Sequence, residues 1–217
     1  MSMTMQAKKL TRQGRARKEQ LMSEAAKLFA HSGYYATRVV DIVKSAGVAK
    51  GLFYWYFENK EALFREIVKA TRDDLRRAQA RAIEGESDPL ARISKGIEAS
   101  LDFIGRNEHL YVLLRFAGTQ ERFASLVEEA QEVQARDVSQ HIQAAIDDGT
   151  LPDGDAFLLA HGVVATVFHF ARLKASNSIT DDDHLLEFIT AFCLRGLGAN
   201  PELYLSETTR AGRRAAG

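Results

Sequence analysis

The stretch "GLFYWYF", Gly51–Phe57, decides how the rest of the chain is read. Five aromatics stand together there, Phe53, Tyr54, Trp55, Tyr56 and Phe57, in a chain that is only 9% aromatic and has one tryptophan. Aromatic side chains favour pleated surfaces, so local propensity alone suggests a strand. The flanks suggest the opposite. Gly47 and Asn59 bracket a single short element, helical stripes lie on both sides, and no partner strand is in sight. The run therefore reads as a short helix, about Ala49 to Phe57. At about 100° per residue, Phe53, Tyr56 and Phe57 fall within one arc, and Tyr54 and Trp55 point away from it. One face can pack and the other can meet a partner.

Working outward, helical periodicity continues in both directions. Upstream, Leu21, Ala25, Leu28 and Phe29 form an apolar stripe on a helix from about Arg15 to His31, with Gly33 as its C-terminal cap. Thr37 is a candidate N-cap for a short helix from about Val39 to Ala46, which Gly47 stops. Downstream, Asn59 can cap a long helix that ends near Gly85, and Asp88 before Pro89 marks the start of the next. After a break at Gly105–Asn107 come "HLYVLLRF", a polar amphipathic helix from about Glu121 to Asp148, and two apolar helices, about Asp155 to Ala175 and Asp182 to Leu197. The fold class is all-α, with about nine helices. The tail after Gly198 has little to bury and is expected to be mobile.

Charge divides the chain where the helices do. Formal net charge is zero, but residues 1–60 hold eleven Lys/Arg against four Asp/Glu, leaving eighteen against twenty-five for the remainder. A basic head on an acidic body suits a head that meets a polyanion, although a basic terminus is often only a solvated tail. Arg12, Arg15 and Arg17 are the arginines of this basic arm. The single cysteine, Cys193, excludes an intramolecular disulfide and cysteine zinc sites, and reads as a small buried side chain. The longest apolar runs look too short and interrupted to span a bilayer, and "MSMTMQAKKL" has no apolar core segment of a signal peptide. A cytoplasmic protein with no membrane role is expected. Enzyme motifs are absent: no HExxH, no P-loop, no nucleophile elbow, and no metal or cofactor set.

Two short helices joined by a Gly-containing turn make a helix-turn-helix unit, with Val39–Ala46 supporting and Ala49–Phe57 recognising. With the basic arm upstream, this points to DNA. A protein-binding helical module using the aromatic run as an interface is the competing reading.

The stretch "AAKLFAHSGYYATRVVDIVKSAGVAKGLFYWYFENKEALF" closely resembles the N-terminal DNA-binding domain of the TetR family of bacterial transcriptional regulators. Ala26, Leu28–Phe29, Gly33–Tyr34, Thr37, Asp41–Ile42, Ala46–Gly47–Val48, Gly51, Tyr54, Phe57, Lys60, Glu61 and Leu63 carry the resemblance. It implies a head, residues 1–62, and a ligand-binding and dimerisation body, residues 63–217. It implies that Thr37, Tyr54 and Lys60 contact phosphate and that Lys50, Leu52 and Trp55 read sequence, with Arg38 and Gly51 beside them. Ala49 and Leu52 depart from the hydroxyl-bearing residues common there. For the body, it implies a homodimer paired through the last two helices, where Gly162, Ala165, Ala191 and Gly196 allow close approach. It also implies a pocket for a small-molecule effector. Polar or aromatic residues inside apolar helices are the candidate lining: Phe103, Tyr111, Arg115, Phe116, His141, Phe168, His169 and Arg172.

Overall fold

A computed structural model of the chain describes residues 11–175, 179 and 182–205. Among the described residues there are nine α-helices, one short 3-10 turn and no strand. The chain divides into two compact units, Met1–Ile67 and Val68–Gly217, with the division inside the fourth helix.

In the first unit, α1 (Arg12–Ser32) starts earlier than its apolar stripe, because Thr11 caps it by accepting a 3.1 Å bond from the Gly14 amide. Arg12 therefore joins Arg15 and Arg17 on the opening turns of a helix that was expected to start at about Arg15. Lys8 and Lys9 lie outside the described residues. Gly33, at φ +85°, ends α1 with its amide on the Phe29 carbonyl. The cap of α2 (Val39–Ser45) corrects another expectation. Thr37 is buried and turns its hydroxyl back to the Gly33 carbonyl at 2.8 Å, so it cannot cap. Arg38 holds the cap position instead, and its amide donates to the Asp41 carboxylate at 3.0 Å.

The turn between α2 and α3 (Lys50–Tyr56) is set by Gly47. At φ +62° it allows the Gly47 amide to reach the Lys44 carbonyl and the Val48 amide to reach Val43, the paired bonds of a Schellman stop. The chain then restarts as a helix after two residues. Helix α4 (Lys60–Ala82) is capped by Asn59, whose Oδ1 accepts from the Ala62 amide at 2.8 Å. The core of the unit gathers Leu21, Phe29, Ile42, Phe53, Leu63 and Phe64, all nearly solvent-free. Phe29, Tyr34 and Phe64 meet in tilted and edge-on pairs at 5.2–5.7 Å.

The second unit is built on α5 (Pro89–Arg106), α6 (Glu108–Gly118), α7 (Glu121–Asp147), α8 (Ala156–Ala175) and α9 (Asp182–Gly196). Asp88 accepts from the Leu90 and Ala91 amides and opens α5 with Pro89 in its first turn. Ile93 and Ile97 of α5, Ile142 of α7, Val163 and Val167 of α8 and Ile189 of α9 share one core. Cys193 belongs to it, and burial pushes its thiol up to about 12, which leaves it unreactive. The segment after Gly198 does not behave as a loose tail as far as Leu205. Pro201 and Leu205 are buried, and the Ser94 hydroxyl donates to the Tyr204 carbonyl at 2.8 Å. Residues 206–217 lie outside the described residues.

The apolar run of α8 is longer than the sequence reading allowed. Ala156–Lys174 has the length and the mean hydropathy, 1.5, of a membrane span. Its composition has a local cause: Val163, Val164 and Val167 enter the core while Leu158 and Phe157 on other faces stay exposed.

Candidate nucleic-acid interface

Helix α3 presents two faces. Phe53 is fully buried and Phe57, just past the helix end, nearly so. Tyr56 is half-buried, and its hydroxyl donates to the Gly14 carbonyl at 2.8 Å, fixing α3 to the start of α1. Gln20 of α1 donates to the Ala46 carbonyl at 3.0 Å and holds the end of α2. A helix of seven residues has little stability of its own, so these anchors and the buried Phe53 are what keep it formed. Tyr54 and Trp55 lie on the other side, 52% and 53% exposed. Lys50 and Gly51 are exposed and Leu52 is half-buried. The Lys50 ammonium sits 6.0 Å from the centre of the Tyr54 ring. Leu52, Trp55, Gly51 and Tyr56 line a shallow recess. A Cβ at Gly51 would meet nothing within 4 Å, so this backbone is open to an outside molecule.

Cations surround this face. Arg38 is exposed at the start of α2 and paired to Asp41, whose carboxyl its hydrogen bond and charge hold below the usual range. Arg12, Arg15 and Arg17 are exposed on α1, with no acid in its first turn. Positive side chains at the positive end of a helix oppose its dipole. That arrangement is favourable only with an anion alongside.

Two of the expected phosphate contacts have inward partners. Thr37 is buried with its hydroxyl on the carbonyls of Gly33 and Leu28 at the end of α1. The Lys60 ammonium donates to the carbonyls of Tyr34 and Thr37, both at 2.8 Å, and lies 4.4 Å over the Tyr34 ring. It pins the turn between α1 and α2. Sequence reading missed Tyr35 and Val40, which are 60% and 48% exposed. The doublets Tyr34–Tyr35 and Val39–Val40 held the signal, since only one member of each adjacent pair can face inward on a short helix or turn.

In the second unit, the candidate lining residues separate. His141 and Phe168 border a cavity of about 690 Å³ between α4, α5, α7 and α8. Phe103, Tyr111 and Phe168 border a smaller void of about 30 Å³ beside it. Tyr111 is buried, its hydroxyl donates to the Phe168 carbonyl at 3.2 Å, and desolvation raises its pKa. Arg115, Phe116, His169 and Arg172 border neither space; Arg115, His169 and Arg172 are exposed, because their positions on α6 and α8 turn outward. The arginines that do border the larger cavity are Arg76, Arg77 and Arg92. Of the expected close-approach residues, Gly162, Ala165 and Gly196 are exposed while Ala191 is buried in the protomer core. Phe188 and Phe192 of α9 are half exposed and stacked on each other at 6.0 Å.

Residues 21–67, the span from mid-α1 into α4, match the model of the bacterial regulatory proteins, tetR family. Over this span the chain carries the DNA-binding domain of the TetR family. Among its relatives is the uncharacterized HTH-type transcriptional regulator YhgD of Bacillus subtilis, 26% identical over 85% of this chain and 98% of that one. The HTH-type transcriptional repressor KstR2 of Mycolicibacterium smegmatis is 28% identical over 66% of this chain and 72% of the relative. The fold is similar to that of a TetR-family regulator from Syntrophomonas wolfei, with a TM-score of 0.75 at 20% identity over 85% and 96% of the two chains. The comparisons thus place the chain among TetR-like transcriptional regulators and not among enzymes.

Proposed function

We propose that the chain is a ligand-responsive repressor that binds a palindromic operator as a homodimer in the cytoplasm. Residues 1–62 would form the DNA-binding head and 63–217 the dimerisation and effector-binding body. The observation that carries this reading is the division of α3 by face: Phe53 sealed in the core, Tyr54 and Trp55 held outward with Lys50, and exposed arginines on α1 and α2. Backbone contacts give affinity and register, whereas base contacts give sequence. Tyr54, Arg12, Arg15, Arg17 and Arg38 are assigned to phosphate, with Lys50, Leu52 and Trp55 at base edges and Gly51 permitting close approach. Leu52 has no hydroxyl and suits a thymine methyl.

A two-fold dimer reads half-sites about 34–36 Å apart. The exposed Phe188 and Phe192, with Gly162, Ala165 and Gly196 on α8 and α9, support pairing through these helices. The body cavity supports an effector. It regulates only if it binds the conformation that releases DNA more tightly than the one that holds it.

The test is genomic footprinting with purified protein, followed by gel shifts over a salt series. Binding should fall steeply with salt. Tyr54→Ala should weaken every site, and Trp55→Ala should change which site is preferred. Salt-insensitive binding, or a Trp55→Ala protein with the parent's sequence preference, would reject the reading.

A further inference from the structure

The body cavity has polar groups at two levels and apolar walls between them. Gln134, Asp137 and His141 recur at three- and four-residue spacing along α7 and all border the cavity. Gln134 and His141 are thus about 10.5 Å apart along the helix axis. On α5, Arg92 and Ser100 border the same space and are about 12 Å apart along theirs. The helices run antiparallel there. The charge of Arg92 acts on His141 at one level, and at the other Gln79 Nε2 donates both to Ser100 Oγ and to Gln134 Oε1, each at 2.9 Å. Ile93, Ile97, Val138, Val163 and Val167 fill the walls.

Each level has an unmet capacity. Gln134 is only 4% exposed, yet its Nε2 has no hydrogen-bond partner. Exchanging the amide atoms of both glutamines would leave the oxygen of Gln134 unpartnered instead, so one end of this amide lacks a partner either way. Buried polar groups without partners are uncommon and call for an explanation. Among the arginines that border the cavity, Arg76 forms a bidentate pair with Asp137 at 2.7 and 3.1 Å, and Arg77 pairs with Asp74. Arg92 is different: its Nε donates to the Glu86 carbonyl at 2.6 Å, and it forms no ion pair among the described residues. Burial and the Arg92 charge lower the pKa of His141 beside it, against the opposing charge of Asp137, so Arg92 supplies the positive charge at this level.

We propose that the cavity takes an oxygenated amphiphilic carboxylate, with its anionic head at Arg92 and His141, an apolar span between α5, α7 and α8, and a second oxygen at the Gln134 amide. This assignment rests on the reading of the body as the effector-binding unit. The second oxygen would relieve the unpartnered amide, and a hydroxyl would serve either amide orientation because it both donates and accepts.

The test is calorimetric titration of the full chain, without DNA, using ω-hydroxydecanoate, decanoate and the terminal decanediol. The hydroxy acid should bind roughly tenfold or more tightly than either control, since each control leaves one station unmet. Arg92→Gln should remove the advantage over the diol. Gln134→Leu should remove the advantage over decanoate while leaving decanoate bound as well or better. Equal affinity for the three compounds, or no heat from the hydroxy acid at about millimolar concentration, overturns the proposal without any variant having to fold. Footprinting separates the two readings. A bound hydroxy acid that leaves operator occupancy unchanged keeps the cavity assignment and rejects effector control, whereas failed titration with an intact footprint rejects the assignment alone.

Discussion

Replacing Lys60 with Met separates two roles for one ammonium group. As a phosphate contact it would stabilise only the DNA complex. In the free protein it already donates to the Tyr34 and Thr37 carbonyls at 2.8 Å and covers the Tyr34 ring at 4.4 Å. A hydrogen bond to a charged donor contributes about 1.5–3 kcal/mol when shielded. Lys60 is half-buried, so solvent competes and the pair is better taken as about 2 kcal/mol in total. Methionine keeps much of the apolar stem over the ring and supplies no donor. Lys60→Met should therefore weaken the head by about 2 kcal/mol, roughly a thirtyfold change in its folding constant. Denaturant unfolding followed by the single Trp55 reads this unit directly, because Trp55 lies on α3. The midpoint should fall, while the salt slope of operator binding by the folded variant stays near the parent's. The reasoning fails if the midpoint is unchanged and the slope drops by about one, the signature of a lost phosphate contact.

The remaining predictions follow from single groups. Gly47→Ala puts a side chain at φ +62° with nothing within 4 Å to clash, so only the backbone cost applies; denaturant unfolding should show a loss of roughly 1–2 kcal/mol. Phe192→Glu places a charge on the exposed apolar face of α9, and sedimentation should show dimers for the parent and monomers for the variant. His141→Gln tests pH dependence. Burial and Arg92 lower the His141 pKa from its ordinary 6.5, so the unfolded chain binds a proton that the folded chain refuses. Stability should fall as pH drops through about 6.5 towards the lowered folded value, and melting curves of the variant should lose that component.

The division of the aromatic run was legible because a helical period sorts adjacent residues by angle, and Phe53, Tyr54 and Trp55 are adjacent. Capping from a single local partner was legible too, as with Asp88 and Asn59. Thr37 was not, because its choice between capping α2 and bonding back to Gly33 depends on how the turn closes in space. Lys60 was hidden for the same reason: its carbonyl partners lie more than twenty residues upstream. The body cavity was least legible. Arg115 and Arg172 looked like polar residues inside apolar helices, but which side of α6 or α8 faces the cavity is decided by tertiary packing. Arg92 and Gln134, on helices with ordinary amphipathic patterns, gave no such signal.

The start of α1 allows the polyanion reading to be tested by opposite signs. Arg12 and Arg15 lie at the start of the helix, whose first turn holds no acid, and both are exposed. A cation there opposes the helix dipole, at a cost of roughly 0.3 kcal/mol for an exposed group at low salt. A sequence selected only for stability would place Asp or Glu at these positions. Arg12→Gln and Arg15→Gln together should make the free protein slightly more stable, by roughly half a kcal/mol, with the gain vanishing in high salt. The same double variant should bind the operator more weakly and reduce the salt slope by about two, one for each lost phosphate contact. A solvated basic end would give the stability gain and leave the slope unchanged. Measured on one protein, the two signs decide whether these arginines face DNA or water.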